Sequence, residues 1–187
     1  MSPTAGALTQ IAPGAVLLHG FAREADADLL QATRSVMTQA PLRHWQTPCG
    51  YTMSVAMSNC GALGWVSDPK GYSYAALDPV SNLPWPAMPA RLINEYVPGA
   101  KLSLHQDKDE KDLRAPIVSL SMGLPAVFLF GTPSRKDRAQ RYRLVHGDVV
   151  VWGGPSRLAY HGVAALADGE HALLGRRRLN LTFRCVG

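Results

Sequence analysis

The sequence predicts a mainly β fold with one flanking helix, of the sandwich, barrel or jelly-roll kind. Three observations lead there: a single amphipathic stretch near the start, a succession of short apolar or alternating runs after it, and a length of 187 residues, which suits one domain with a sizeable core. The predicted helix covers 22–39, where Leu29, Leu30, Thr33, Val36 and Met37 share a stripe, acidic residues occupy the first turn and Pro41 follows. Predicted strands cover 51–57, 92–96, 117–122, 126–130, 142–145, 149–152 and 179–185, separated by Gly, Pro and Asn. Between two of them, His146-Gly147-Asp148 reads as a tight turn. The stretch 58–74 reads as a loop in which Trp65, Tyr72 and Tyr74 ride on glycine-rich backbone, a combination suited to a binding lid. The proline-rich 77–89 reads as a connector.

Composition narrows the class. Hydrophobic residues make up 47% and charged residues 18%, a balance that excludes long disorder. No apolar run is long enough to cross a bilayer and the first residues lack the basic start of a secretory signal, so a cytoplasmic protein with no membrane partner is expected. Cys49, Cys60 and Cys185 are odd in number and lack Cys-x-x-Cys spacing, which supports neither a disulfide framework nor a structural zinc site. The net charge of +5 favours polyanionic partners, nucleic acid foremost.

The residues with most chemical content are His105 and Asp107, with His161 far downstream. If the His-x-Asp segment is extended, alternation puts its imidazole and carboxylate on one face. Two imidazoles and a carboxylate on one side of an ion leave the opposite positions open, the ligand set of non-haem Fe(II) oxygenases. The alternative is a surface dipeptide and a hydrogen-bonded core histidine. Near the end, Arg178, Asn180, Thr182 and Arg184 share one face of a predicted strand. Directed inward, such a face would grip a dicarboxylate or keto acid beside a metal; directed outward, it is the solvent face of an edge strand. Asn94 and Tyr96 share a face by the same alternation and could join that ligand, or lie on the surface. Met53 and Met57 could shape a pocket or fill core. His19, His44 and His171 lack a partner at ligand spacing and read as surface or structural residues.

Four fragments in order, Tyr51-Thr52-Met53-Ser54-Val55-Ala56-Met57, the run from Asn94 through His105-Gln106-Asp107 to Glu110, His146-Gly147-Asp148-Val149-Val150-Val151-Trp152-Gly153-Gly154, and Arg178-Leu179-Asn180-Leu181-Thr182-Phe183-Arg184, resemble the AlkB family of alkylated-DNA repair dioxygenases from about Gly14 onward. The resemblance implies a double-stranded β-helix, or jelly roll, with an N-terminal nucleotide-recognition lid: one domain over 1–187, in which 14–90 form the extension and lid and 91–187 the catalytic core. It implies Fe(II) held by His105, Asp107 and His161, and the cosubstrates 2-oxoglutarate and O2. Arg178 would then pair with the distal carboxylate of 2-oxoglutarate, with Asn94, Tyr96, Asn180 and Arg184 completing its pocket, which overturns the edge-strand reading.

The activity so implied is oxidative demethylation of nucleobases such as 1-methyladenine and 3-methylcytosine, releasing formaldehyde, succinate and CO2. The implied partner is alkylated single-stranded DNA, with double-stranded DNA and RNA as further substrates, acted on by a monomer. Trp65 would stack on the flipped base opposite His105, Tyr72 and Arg135 would hold the nucleotide, Asp109 would face the exocyclic amino group, and Thr47 and Tyr51 would reach the phosphates. The chain departs from the family between Pro89 and Leu92, where relatives carry a helical stretch that covers part of the sheet. Its absence predicts an exposed apolar sheet face, and it carries an alternative function: a module that binds alkylated nucleic acid without turning it over.

Overall fold

The computed structural model describes residues 6–87 and 91–185. The strands are β1 (Leu8–Ala12), β2 (Ala15–Leu18), β3 (Arg43–Gln46), β4 (Thr52–Cys60), β5 (Gly64–Asp68), β6 (Gly71–Ala75), β7 (Arg91–Tyr96), β8 (Leu102–His105), β9 (Ile117–Gly123), β10 (Ala126–Phe130), β11 (Gln140–Leu144), β12 (Val149–Trp152), β13 (His161–Val163) and β14 (Arg178–Phe183); α1 is Asp26–Gln39. The larger sheet runs β1-β2-β12-β9-β14-β7-β4-β3 and the smaller β11-β10-β13-β8, while β5 and β6 form a separate hairpin. Every pairing is antiparallel. Together these strands build a double-stranded β-helix.

Alternation decides what each sheet face does. Tyr96, Ile117, Val150 and Trp152 of the larger sheet and Phe128, Phe130 and Val163 of the smaller one belong to a single buried cluster. The opposite face of the larger sheet, with Ile93, Leu120, Leu179 and Leu181, packs with Leu30 and Val36 of α1. Removing these side chains from water is worth roughly 1.5–3 kcal/mol each.

The helix ends at Gln39 as predicted and starts at Asp26, four residues later than the pattern suggested. Arg23–Ala25 form a 3-10 turn instead, and the Ala22 N–H donates to Gly147 O at 2.9 Å, tying the entry to the 146–148 turn. Asp148 fixes that turn by accepting from the backbone N–H groups of Gly20 and Val145, both at 2.8 Å.

Three expectations are corrected. The stretch 58–74 is mostly strand rather than loop: β4 runs on to Cys60, and β5 and β6 pair from Gly64↔Ala75 to Asp68↔Gly71. The Asn59 side chain closes the bend by bonding both the N–H and the carbonyl of Trp65. The strand carrying His105 stops there, so Asp107 is placed by the following loop and not by alternation. Third, the sheet face under α1 is not laid bare: Ile93, Leu120, Leu179 and Leu181 are all buried. The shortened connection itself, at Pro89, lies outside the described residues, and β7 beyond it is in register with both β4 and β14.

Candidate active site

A cavity of about 700 Å³ is lined by both sheets and by the β5–β6 hairpin. At one end, His105 and His161 face each other across the β8–β13 pair with ring centroids 4.4 Å apart. Gly162 makes this approach possible, because a Cβ there would lie 2.6 Å from Leu102 O. Asp107 sits between the two rings, its Oδ1 3.6 Å from His105 Nε2 and its Oδ2 3.4 Å from His161 Nε2. One ligand atom from each of the three residues lies within 4.8 Å of the others.

The surroundings set these groups for a cation. His105 Nδ1 is 2.9 Å from Ser103 O and His161 Nδ1 is 3.0 Å from Ala159 O. A carbonyl only accepts, so each Nδ1 carries its proton and each Nε2 turns a lone pair toward Asp107. Burial, then the nearby His161, lowers the His105 pKa to about 4, which keeps that ring neutral. Burial alone would raise Asp107, but the Arg184 charge, with Nη2 2.8 Å from Oδ1, holds it far below the usual carboxylate range. Asp107 Oδ2 is buried without a hydrogen-bond partner.

Beside the triad, β7, β14 and β9 present a second polar set in register, with Arg178 opposite Tyr96, Asn180 opposite Asn94 and Ser121 opposite Asn180. Arg178 is 1% exposed, which is decisive because among the described residues it donates to Ser121 Oγ at 3.0 Å and no carboxylate neutralises it. Its Nε and Nη1, Asn94 Oδ1 and Tyr96 OH are all buried without partners. Its guanidinium lies 4.9 Å from the Tyr96 ring centroid, and burial pulls its pKa down. A fully buried, unneutralised arginine with free N–H groups is a site for an anion. The free N–H groups of Arg178 and the Tyr96 hydroxyl, in the same cavity as the His-Asp-His set, fit a dicarboxylate such as 2-oxoglutarate.

Asn180 lines the same cavity and is also bonded within the sheet. Its Nδ2 donates to Ser119 Oγ (2.7 Å) and Leu120 O (2.9 Å), and its Oδ1 accepts from Thr182 Oγ1 (3.1 Å), so its polar atoms brace the sheet wall.

At the mouth, the rings of Trp65 and Tyr72 stack 5.4 Å apart at 21°. Tyr51 is exposed, its N–H donating to Thr47 Oγ1 at 3.1 Å. The Arg135 guanidinium lies 5.7 Å from the Tyr160 ring centroid. Asp109 is exposed, and partial burial followed by the charge of Glu110 raises its pKa. His105, Asp107, His161, Asn94, Tyr96, Arg178, Asn180, Arg184, Trp65, Tyr72, Asp109, Arg135, Thr47 and Tyr51 all line this one cavity, as do Met53 and Met57.

Sequence reasoning missed the network behind the metal loop. Glu110 is buried and takes Arg157 Nη2 at 3.1 Å, Arg184 Nη1 at 3.4 Å and the Tyr74 hydroxyl at 2.7 Å. Arg157 Nη1 also donates to Asp107 O at 2.6 Å and its Nε to Ala115 O at 3.0 Å. This explains why the chain leaves β8 after His105: the loop must turn Glu110 inward to meet two arginines.

The profile of the 2OG-Fe(II) oxygenase superfamily matches residues 14–93 and 89–184. "Alpha-ketoglutarate-dependent dioxygenase AlkB" of Salmonella typhimurium is 55% identical over 196 residues, spanning 93% of this chain and 91% of its own. The protein of the same name from Escherichia coli is 53% identical, spanning 95% and 92%. The chain belongs to the AlkB family. Among solved structures, OsALKBH1 superposes with a TM-score of 0.83 at 27% identity, covering 95% of this AlkB-family chain and 99% of the other. The chain is therefore an Fe(II)- and 2-oxoglutarate-dependent dioxygenase. The two stretches matched by the superfamily profile overlap at 89–93.

Proposed function

We infer that this chain repairs alkylated nucleic acid by oxidative demethylation, acting as a monomer on 1-methyladenine and 3-methylcytosine, preferentially in single-stranded DNA. The observation that carries the reading is the buried, unneutralised Arg178 sharing one cavity with His105, Asp107 and His161, beneath a mouth of stacked aromatic rings. Iron and 2-oxoglutarate, when bound, supply O2-dependent hydroxylation of an N-methyl group with conversion of the keto acid to succinate and CO2. The N-hydroxymethyl base then loses formaldehyde, leaving the normal base.

This chain's own residues bind and orient. His105, Asp107 and His161 would hold the iron; Arg178 takes a carboxylate of 2-oxoglutarate through its free N–H groups, the Tyr96 hydroxyl is a further donor to it, and Asn94, Asn180 and Arg184 complete the pocket. Arg184 neutralises Asp107 and, through Tyr74 at 3.1 Å, ties the hairpin to the metal loop. Trp65 and Tyr72 receive the flipped base, and a cationic methylated ring over an indole face gains about 0.5–2 kcal/mol over a neutral one. Methylation on the pairing edge has already broken the base pair, so extrusion is cheap. Asp109 faces the exocyclic amino group, Arg135 holds the nucleotide, and Thr47 and Tyr51 reach the phosphates. We read 1–187 as one domain, with 14–90 supplying the lid and 91–187 the catalytic core, since the larger sheet draws strands from both parts. The convergence of the candidate residues beyond the shortened connection gives no support to a catalytically silent binding module.

The test compares methyl loss by mass spectrometry from one 1-methyladenine in single-stranded DNA, duplex DNA and RNA of the same sequence, with Fe(II), 2-oxoglutarate and air. Single-stranded DNA should react fastest. Faster repair of RNA would overturn the strand preference and favour the relation to "tRNA demethylase abh1" of Schizosaccharomyces pombe, 48% identical over 109 residues. Sedimentation should give one species of monomer mass.

A further inference from the structure

Five cations stand within nine residues: Arg135, Lys136, Arg138, Arg141 and Arg143. All are exposed, and the only acid among them, Asp137, accepts from Thr132 Oγ1 at 2.5 Å. Five cations less one acid make this segment +4, against +5 for the whole chain. Six arginines elsewhere have an acidic partner: Arg43 has Asp78, Arg114 has Asp112, Arg157 has Glu110, Arg176 has Asp168, Arg177 has Glu95 and Arg184 has Asp107. Among the described residues, Lys136, Arg138, Arg141 and Arg143 have no acidic partner.

The topology lays these charges along one path. Arg141 pairs with Leu129 and Arg143 with Val127, so both lie on the sheet face opposite the core residues Phe128 and Phe130. Two residues apart on one strand, they stand about 7 Å from each other. β11 is the edge of the smaller sheet, and the β10–β11 connection carries Arg135 and reaches the cavity mouth beside Tyr160. The stripe therefore starts at the mouth and leads away from it. Edge strands do carry charge to discourage pairing with other chains. That need does not explain why the neighbouring connection is as basic as the strand, nor why the path ends at the cavity.

We propose that Lys136, Arg138, Arg141 and Arg143 form a second phosphate track that holds nucleic-acid backbone beyond the nucleotide in the cavity. The proposal rests on the demethylase reading. The ligand chemistry is the phosphodiester, contributed either by nucleotides flanking the lesion or by the complementary strand.

The test uses the full chain and its Arg138→Ser/Arg141→Ser/Arg143→Ser variant, with two measurements. Binding of an unmodified fifteen-nucleotide strand and of its duplex is followed by fluorescence anisotropy against KCl concentration. Turnover of a trinucleotide carrying 1-methyladenine, too short to reach the stripe, is followed in parallel. Loss of three phosphate contacts lowers the slope of log affinity against log salt by about 2 for a single strand and about 2.7 for a duplex. Trinucleotide turnover should be unchanged. A smaller slope with both nucleic acids assigns the track to flanking nucleotides; a smaller slope with the duplex alone assigns it to the complementary strand. Unchanged affinity and slope in a folded variant, with or without aggregation from the uncovered edge, overturn the proposal while trinucleotide turnover still upholds the demethylase reading. A smaller slope with no turnover by either protein would instead overturn that reading and keep the track.

Discussion

Arg178→Met removes the buried cation while keeping most of its apolar bulk. In the protein without 2-oxoglutarate, Arg178 has one hydroxyl acceptor, no carboxylate, and free Nε and Nη1 groups. Each unsatisfied donor costs about 1–3 kcal/mol. The contact with the Tyr96 ring at 4.9 Å returns about 0.5–2 kcal/mol. The ligand-free variant is therefore expected to be as stable as the parent or more so, by up to about 4 kcal/mol. Ligand binding moves the other way. Truncating one partner of a buried, hydrogen-bonded charge pair costs about 2–5 kcal/mol, so 2-oxoglutarate affinity should fall by roughly 30-fold to several thousandfold. The assay is calorimetric titration of 2-oxoglutarate into Mn(II)-loaded protein without oxygen, beside urea unfolding of the ligand-free proteins. An affinity loss below about fivefold, or ligand-free destabilisation beyond about 2 kcal/mol, would refute the reasoning and make Arg178 a structural cation.

Other parts of the site give further expectations. Glu110→Ala leaves Arg157 and Arg184 buried with fewer partners and should cost about 3–5 kcal/mol of stability in urea unfolding; a loss under 1 kcal/mol would contradict the network. Gly162→Ala forces β13 away from Leu102 O and should cost about 1–3 kcal/mol. It should also weaken Co(II) binding, and unchanged Co(II) affinity would show that the His105–His161 approach is not limiting. In metal-free protein, His105 titrates with a pKa lowered to about 4. Its folded value lies below that of a free imidazole, about 6.5, so neutral His105 favours the folded state above that pH. This contribution is lost as pH falls toward 4, and the His105 ring NMR signals should stay flat from pH 8 to about 5.5. A midpoint near 6.5 would contradict the buried, neutral ring.

Much of the fold is legible in the sequence because its period is visible. The stripe through Leu30, Thr33 and Val36 marks α1, and 126–130 and 149–152 coincide with β10 and β12. β13 is invisible because three residues carry no period, and its role depends on Gly162 meeting Leu102 across the sheet. The β5–β6 hairpin hides because glycines at its strand starts read as loop, while the Asn59 bonds that order it are unreadable from composition. In the site, the His-x-Asp spacing and the alternation from Arg178 stand in the sequence. Glu110 does not stand out, because its partners Tyr74 and Arg157 are 36 residues upstream and 47 downstream. The inward use of Asn180's amide was equally hidden, since it depends on Ser119 in a neighbouring strand.

The most direct measurement counts succinate and lost methyl groups in the same mixture of this chain, Fe(II), 2-oxoglutarate, air and a single-stranded oligonucleotide bearing one 1-methyladenine, beside His105→Ala. One succinate for each methyl group removed, with neither product from His105→Ala, is the result expected of a cavity that holds the metal, the keto acid and the base together. Succinate formed while the methylated base stays intact would contradict it and assign the dioxygenase a different substrate.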